Sequence, residues 1–206
     1  MWRTVALGLV MILSGCLPQA EAPTDSPAAS PTTTSPAALP SPETKTATIS
    51  VEGESTSIEL KRFDSPDFPF TTYFPASDFT EETGEFSRGR AVKFFFSPTG
   101  EKDENAVVLV FFRYSEPTLK QELEQLETDI VVNRWQVVDR SKSTPYAWAR
   151  AVITLQKSTA DNELAGAIYV GEHNGKGFTV WMIYPIEYAE GFLPRANLIL
   201  ENFQPR

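Results

Sequence analysis

Cysteine and histidine are almost missing from this 206-residue chain, which holds one of each, Cys16 and His173. A single thiol excludes an internal disulfide, so the fold has to be held by a packed core. One imidazole makes a poor zinc site, which draws on several His or Cys ligands. His173 sits in a polar stretch, Glu172-His173-Asn174-Gly175, and reads as a solvated turn residue; with Glu172 it offers a surface metal contact at most. Basic residues are in deficit, 18 Lys and Arg against 27 Asp and Glu, for a net charge of −9. Nucleic acid requires a basic footprint and is excluded as a partner. The same deficit argues against direct adhesion to anionic lipid. Also missing are a Gly-x-Ser-x-Gly elbow, a phosphate loop and a dinucleotide fingerprint.

The first residues form a segment of their own. Arg3 is the only charge before Cys16, and an apolar run follows from Val5 to Leu13, broken by Gly8. A basic start, a short apolar run and small residues at the end describe a secretory signal peptide. The run falls well short of the roughly 20 apolar residues that a membrane-spanning helix needs. Leu13-Ser14-Gly15-Cys16 resembles the lipobox of bacterial lipoproteins. The resemblance implies a diacylglyceryl group on the Cys16 thiol, cleavage between Gly15 and Cys16, and acylation of the new amino terminus. Two or three acyl chains on one residue give the lasting membrane attachment that one chain cannot. Cleavage takes away Arg3 and leaves the mature chain one unit more negative than −9. Position 17 is Leu rather than Asp, so the inner-membrane retention signal of two-membrane bacteria is not present there.

From Leu17 to Ala47 the composition is mostly Pro, Ala, Ser and Thr, with Pro23, Pro27, Pro31, Pro36, Pro40 and Pro42 recurring. No hydrophobic period runs through it, so it has no face to pack. Proline favours extended polyproline geometry, and at about 3.1 Å per residue the stretch reaches roughly 90 Å when fully extended. It reads as a spacer, or alternatively as a ligand for a partner's aromatic groove.

Residues 48–206 read as one globular domain of about 160 residues, enough for a single core. Thr48 to Val51 and Ser57 to Phe63 read as a first hairpin and Pro69 to Phe74 as an extended piece. Arg90 to Phe96 places Val92, Phe94 and Phe96 on one face, leaving Phe95 to the other. Asn105 to Tyr114 reads as a strand buried on both faces, antiparallel to the one before it. Leu119, Leu123, Leu126 and Ile130 make one apolar stripe of a helix from Pro117 to Asn133, with Lys120, Gln121, Glu122, Glu124 and Gln125 expected on a solvated face. Strands follow at Trp135–Asp139, Tyr146–Gln156, Leu164–Glu172 and Gly177–Tyr184, the last two joined at Asn174-Gly175, a strong hairpin signal. A helix from about Glu187 to Phe203 closes the chain, with Pro194 starting its main part or kinking it.

These elements predict an α+β fold: a central antiparallel sheet of about five to seven strands covered by helices. Phe70-Thr71-Thr72-Tyr73-Phe74-Pro75 early, and Tyr184-Pro185 leading to Phe203 late, resemble the PsbP/Mog1-like class of α/β/α sandwiches. That resemblance implies an extracytoplasmic accessory protein, in some relatives a lipid-anchored one serving photosynthetic complexes.

The charged side chains left over are carboxylates: Asp78, Glu81, Glu82 and Glu85 in one cluster, Asp103 and Glu104 in a loop. They read as solvated loops, without an EF-hand pattern for calcium. No catalytic, cofactor-binding or metal-binding residue is predicted, and no cofactor. The expected function is a non-catalytic accessory or binding module, held extracytoplasmically on a membrane by lipid on Cys16 and contacting a protein complex or envelope component. The alternative is a small lipid-anchored hydrolase using a carboxylate pair, which spacing alone does not exclude. Phe94, Phe95, Phe96, Phe111, Phe112, Trp135, Trp148 and Trp181 are expected mostly in the core, and an exposed group of them would mark a partner surface.

Overall fold

The computed structural model describes residues 41–51, 53–160 and 162–206. The expected leader, Gly15 and Cys16 of the lipobox-like motif, and the proline-rich segment through residue 40 lie outside them. The chain order is β1 (Thr44–Val51), β2 (Glu54–Asp64), β3 (Phe70–Phe74), β4 (Phe79–Phe86), β5 (Gly89–Phe96), β6 (Val107–Arg113) and α1 (Leu119–Val132). Then come β7 (Gln136–Ser141), β8 (Ala149–Ser158), β9 (Glu163–His173), β10 (Lys176–Pro185), a 3₁₀ turn (Ile186–Tyr188), α2 (Ala189–Glu201) and β11 (Gln204–Pro205). The domain starts earlier than its composition implies: Thr44 to Ala47 pair with Lys61 to Ile58 as part of β1. The Thr-rich end of the proline segment is β-branched and alternates, so it joins a sheet once a partner strand is offered.

Instead of one sheet covered by helices, the domain has two sheets and is mostly strand. The larger has seven strands in the order β4-β5-β6-β10-β9-β8-β7, the smaller four in the order β1-β2-β3-β11, and neighbours pair antiparallel throughout. One face of the large sheet is inner. There Val92, Phe94 and Phe96 of β5, Val108 and Val110 of β6, and Phe178, Val180 and Met182 of β10 form one buried cluster. The cover is shared between the small sheet, through Phe63, Phe70 and Phe74, and α2, through Phe192, Ala196, Ile199 and Leu200. Pro194 falls inside α2 rather than at its start. A third small cluster joins Ile49, Ile58 and Leu60 to Leu198 of α2.

The outer face of the large sheet carries α1. Its capping box is made by Thr118, whose hydroxyl accepts from Gln121 N while the Gln121 side chain accepts from Thr118 N. Pro117 precedes the cap. Leu126 and Ile130 bury against Ile153, Leu155, Ile168 and Val170, with Leu119 and Leu123 half-buried beside them. The helix stops in a Schellman arrangement: Arg134 N donates to Val131 O and Trp135 N to Ile130 O, with Arg134 at φ +58°. The hairpin predicted at Asn174-Gly175 forms with φ of +51° and +76°, and His173 faces Lys176 across it.

The inner core also fixes an alkaline limit. Burial pushes the phenols of Tyr146, Tyr169 and Tyr184 up. A phenol raised on folding contributes stability that is present below its unfolded value of about 10 and lost as pH rises through the folded one. In an absorbance titration these three of the six tyrosines are expected to ionise together with loss of the fold. Reversible ionisation of all six while the native circular dichroism persists would contradict their burial.

Candidate functional site

The helix α1 is narrower than the sheet it rests on. It covers β8, β9, β10 and the Arg113 end of β6, and leaves the rest of the outer face of β4, β5 and β6 without a helix. Pairing sets rows across that face: Lys93, Leu109 and Trp181 lie side by side on β5, β6 and β10, as do Ala91, Phe111 and Thr179. The result is a groove of about 410 Å³ along the flank of α1, walled by Leu109, Phe111, Trp135, Trp181, Ile183 and Phe86. Phe86 is 44% exposed. Two local devices shape it. The Schellman stop of α1 places Trp135 at one wall. At the other, Gly89 lets β5 close on β6, since a Cβ there would lie 2.2 Å from the Phe112 carbonyl oxygen and 2.8 Å from the Phe111 ring.

Beneath the groove lies a charged cluster. Arg113, at the end of an apolar strand, is buried and donates from Nε to Glu122 Oε2 at 2.8 Å and from Nη2 to Asp129 Oδ2 at 2.5 Å. The other oxygen of Asp129 accepts from Arg88 Nη2 at 2.7 Å. Glu122 is 0% exposed, and its Oε1 and the Arg113 Nη1 make no hydrogen bond among the described residues. Burial holds the Glu122 carboxyl above the ordinary carboxylate range, against the opposing pull of Arg113. In effect Arg113 fixes Asp129, and Asp129 holds the largely exposed Arg88 guanidinium at the groove's edge. Lys93 lies 5.2 Å from the Phe86 ring centroid, a second cation on the rim.

Glu122 corrects the reading of α1 as having a wholly solvated polar side. Glu122, Leu126, Asp129 and Asn133 fall at i, i+4, i+7 and i+11, a line bordering the apolar stripe. That spacing, together with a lone Arg ending a core strand, is the signal in the sequence that marks them. Phe95, left to the outer face, is only 2% exposed, under the Lys93 and Lys102 ammonium groups. Asp78, Glu81, Glu82 and Glu85 do not form a loop cluster. All but Asp78 lie on the edge strand β4, and three of the four are spoken for: Asp78 by Arg195, Glu81 by Lys61 and Glu82 by Lys102. Among the described residues no group of three or more His, Cys, Asp and Glu side chains converges, and no helix is long and apolar enough to cross a membrane. His173 reaches a second cavity at the opposite, inner side of the same sheet end, with Arg90, Phe112, Lys176, Phe178 and Arg206.

No family model matches the chain, and no curated protein matches it. Among solved structures, one similar chain is from Bacteroides thetaiotaomicron VPI-5482, with 12% identity, a TM-score of 0.44, and coverage of 70% of this chain and 48% of that one. Another is cyanobacterial PsbP (CyanoP) from Synechocystis sp. PCC 6803, with 8% identity, a TM-score of 0.46, and coverage of 71% and 92%. The chain spans about half the length of the first of these.

Proposed function

We propose that this protein is a lipid-anchored, non-catalytic binding module whose outer groove takes an apolar, acid-bearing segment of a partner protein. The observation that carries this reading is the half of the large sheet that α1 leaves open. A patch of Leu109 and Phe111 on β6 and Trp181 and Ile183 on β10, with a half-exposed Phe86, is apolar surface that a domain ordinarily covers. Its rim carries Arg88 and Lys93 in a chain of net charge −9, so the groove favours a carboxylate beside the apolar side chains. The anchor belongs to the same reading. Lipid on Cys16 and the proline-rich segment hold the domain off an extracytoplasmic membrane surface, where a partner complex or envelope component is within reach.

A photo-crosslinking residue at Phe86 tests both parts in native membranes. One discrete adduct is expected, lost in Lys93→Glu. It is not expected from the same probe at Val138, which is 58% exposed on β7 at the other edge of the sheet. In Cys16→Ser, palmitate labelling disappears and the adduct falls at least about tenfold as the tether's effective concentration is lost. Equal adducts from Phe86 and Val138 would sink the groove; full palmitate labelling of Cys16→Ser would sink the anchor.

A further inference from the structure

The second cavity carries its own proposal, independent of the outer groove. We infer that the inner core opens at one end into a site for a small organic anion, a carboxylate or phosphate on a flat apolar body. The cavity holds about 370 Å³ and lies where β5 begins, β6 ends and the β9–β10 hairpin turns. Its floor is the half-buried Phe112 ring, backed by the fully buried Phe178 with centroids 5.4 Å apart and planes 29° apart. The Phe178 ring is held in place over Gly171, where a Cβ would sit 2.2 Å from it. Small-molecule sites have this form, a preformed apolar wall with a few converging polar groups and a volume of at least about 300 Å³.

The charge around those rings is the reverse of the chain's. The basic side chains lining the cavity, Arg90, Arg113, Lys176 and Arg206, face a single acidic one, Glu116. Their engagements differ. Arg113 is held by Glu122 and Asp129 through Nε and Nη2. Arg206 is anchored by Asp64 and by the carbonyls of Ser65 and Phe68. Lys176 meets Glu116 at 2.8 Å in an exposed pair. Arg90 makes no ion pair among the described residues and rests 5.5 Å from the Phe68 ring centroid. It pairs with Phe112 across β5 and β6, so its side chain and that ring leave the sheet on the same face. An aryl anion that packs against the part of Phe112 left open to the cavity therefore brings its charge to Arg90, with Lys176 and His173 at the mouth.

The test is calorimetric titration of the full chain in nonionic detergent with phenyl phosphate, and with benzyl alcohol as the neutral counterpart. One site is expected, with a dissociation constant of roughly 10 µM to 1 mM. Benzyl alcohol should bind at least about tenfold more weakly, because the charge-assisted bonds are lost. Arg90→Gln is expected to weaken phenyl phosphate at least about tenfold and Lys176→Gln about threefold, while the exposed Lys120→Gln leaves it unchanged. Since Lys176 lies on the surface, its variant keeps the test valid if Arg90→Gln fails to fold. No heat with phenyl phosphate overturns the proposal, as does equal affinity for the alcohol. A loss in Lys93→Gln instead of Arg90→Gln puts the anion in the outer groove and overturns it too.

Discussion

Replacing Arg113 with methionine lowers the stability of the domain by about 3–5 kcal/mol at neutral pH, the usual cost of orphaning a buried charge. The group orphaned is Glu122. Asp129 keeps Arg88 at 2.7 Å, whereas among the described residues Glu122 bonds through Arg113 alone and is fully buried. The penalty depends on pH with a definite sign. A carboxyl whose folded value is raised contributes stability below its unfolded value and loses it as pH rises through the folded one. Burial already raises Glu122 with Arg113 in place, and removing that cation raises it further. The deficit of Arg113→Met is therefore larger at pH 7 than at pH 5, shrinking as pH falls toward the unfolded carboxyl's ordinary value of about 4.3. Urea melts at the two values measure it. The double variant Arg113→Met/Glu122→Met recovers most of the loss, since apolar groups of similar volume substitute well for a buried pair. A deficit under about 1 kcal/mol, or one equal at both pH values, would show that Glu122 is solvated or otherwise paired. The outcome reaches the outer groove as well, because Arg113 sets the Asp129 carboxylate that holds Arg88 on its rim.

Local pattern was legible wherever one period dominated. The stripe Leu119, Leu123, Leu126, Ile130 announced α1, and Asn174-Gly175 announced a two-residue hairpin, because each signal is contained within a dozen residues. Alternation in β5 likewise put Val92, Phe94 and Phe96 on the inner face. It did not say what covers that face. The helix-covered sandwich expected from the order of elements gave way to a second sheet, because a strand's sequence records that one side is apolar and not which element lies against it. Strand β4 was missed for a related reason. Glu81, Glu82 and Glu85 look like a solvated loop, yet an edge strand tolerates and even prefers such charge, and Lys61 and Lys102, from elsewhere in the chain, donate to Glu81 and Glu82.

The candidate sites were less legible still. Both are made where strands distant in sequence meet, and the neighbours Arg88 and Arg90 go to different sites, Arg88 to the groove with Lys93 and Arg90 to the cavity with Lys176. His173 stood out because it is the only histidine, and it lines the cavity's mouth. Phe95 shows the reverse: its alternation was read correctly, but the stems and ammonium groups of two lysines cover it, so an outward-facing aromatic is not an exposed one.

The joint between the two sheets carries the other large effect. Phe70 on β3 is fully buried and stacks on Phe203 at 4.8 Å, on Phe63 at 5.2 Å and on Phe112 of the large sheet at 5.8 Å. Phe112 continues the stack to Phe178, and Phe178 to Trp148 at 5.8 Å. One ring thus connects the small sheet, the large sheet and the chain's last turn, where Arg206 N donates to Pro69 O. Phe70→Ala is expected to cost about 3–5 kcal/mol, the range for a buried aromatic whose cavity collapses poorly among rigid rings. For a domain of this size that lowers the melting temperature by roughly 6–20 °C. Phe86→Ala, at the exposed edge of the outer groove, should stay within about 0.5 kcal/mol. The contrast identifies the joint as the source of stability and the groove as free surface. A small loss in Phe70→Ala, matching Phe86→Ala, would mean that the sheets are held elsewhere, by α2 through Phe192 and Ile199. The floor of the anion cavity would then stand independent of the sheet that closes it, and Phe70→Ala would leave phenyl phosphate binding intact; the stacked rings predict instead that the two are lost together.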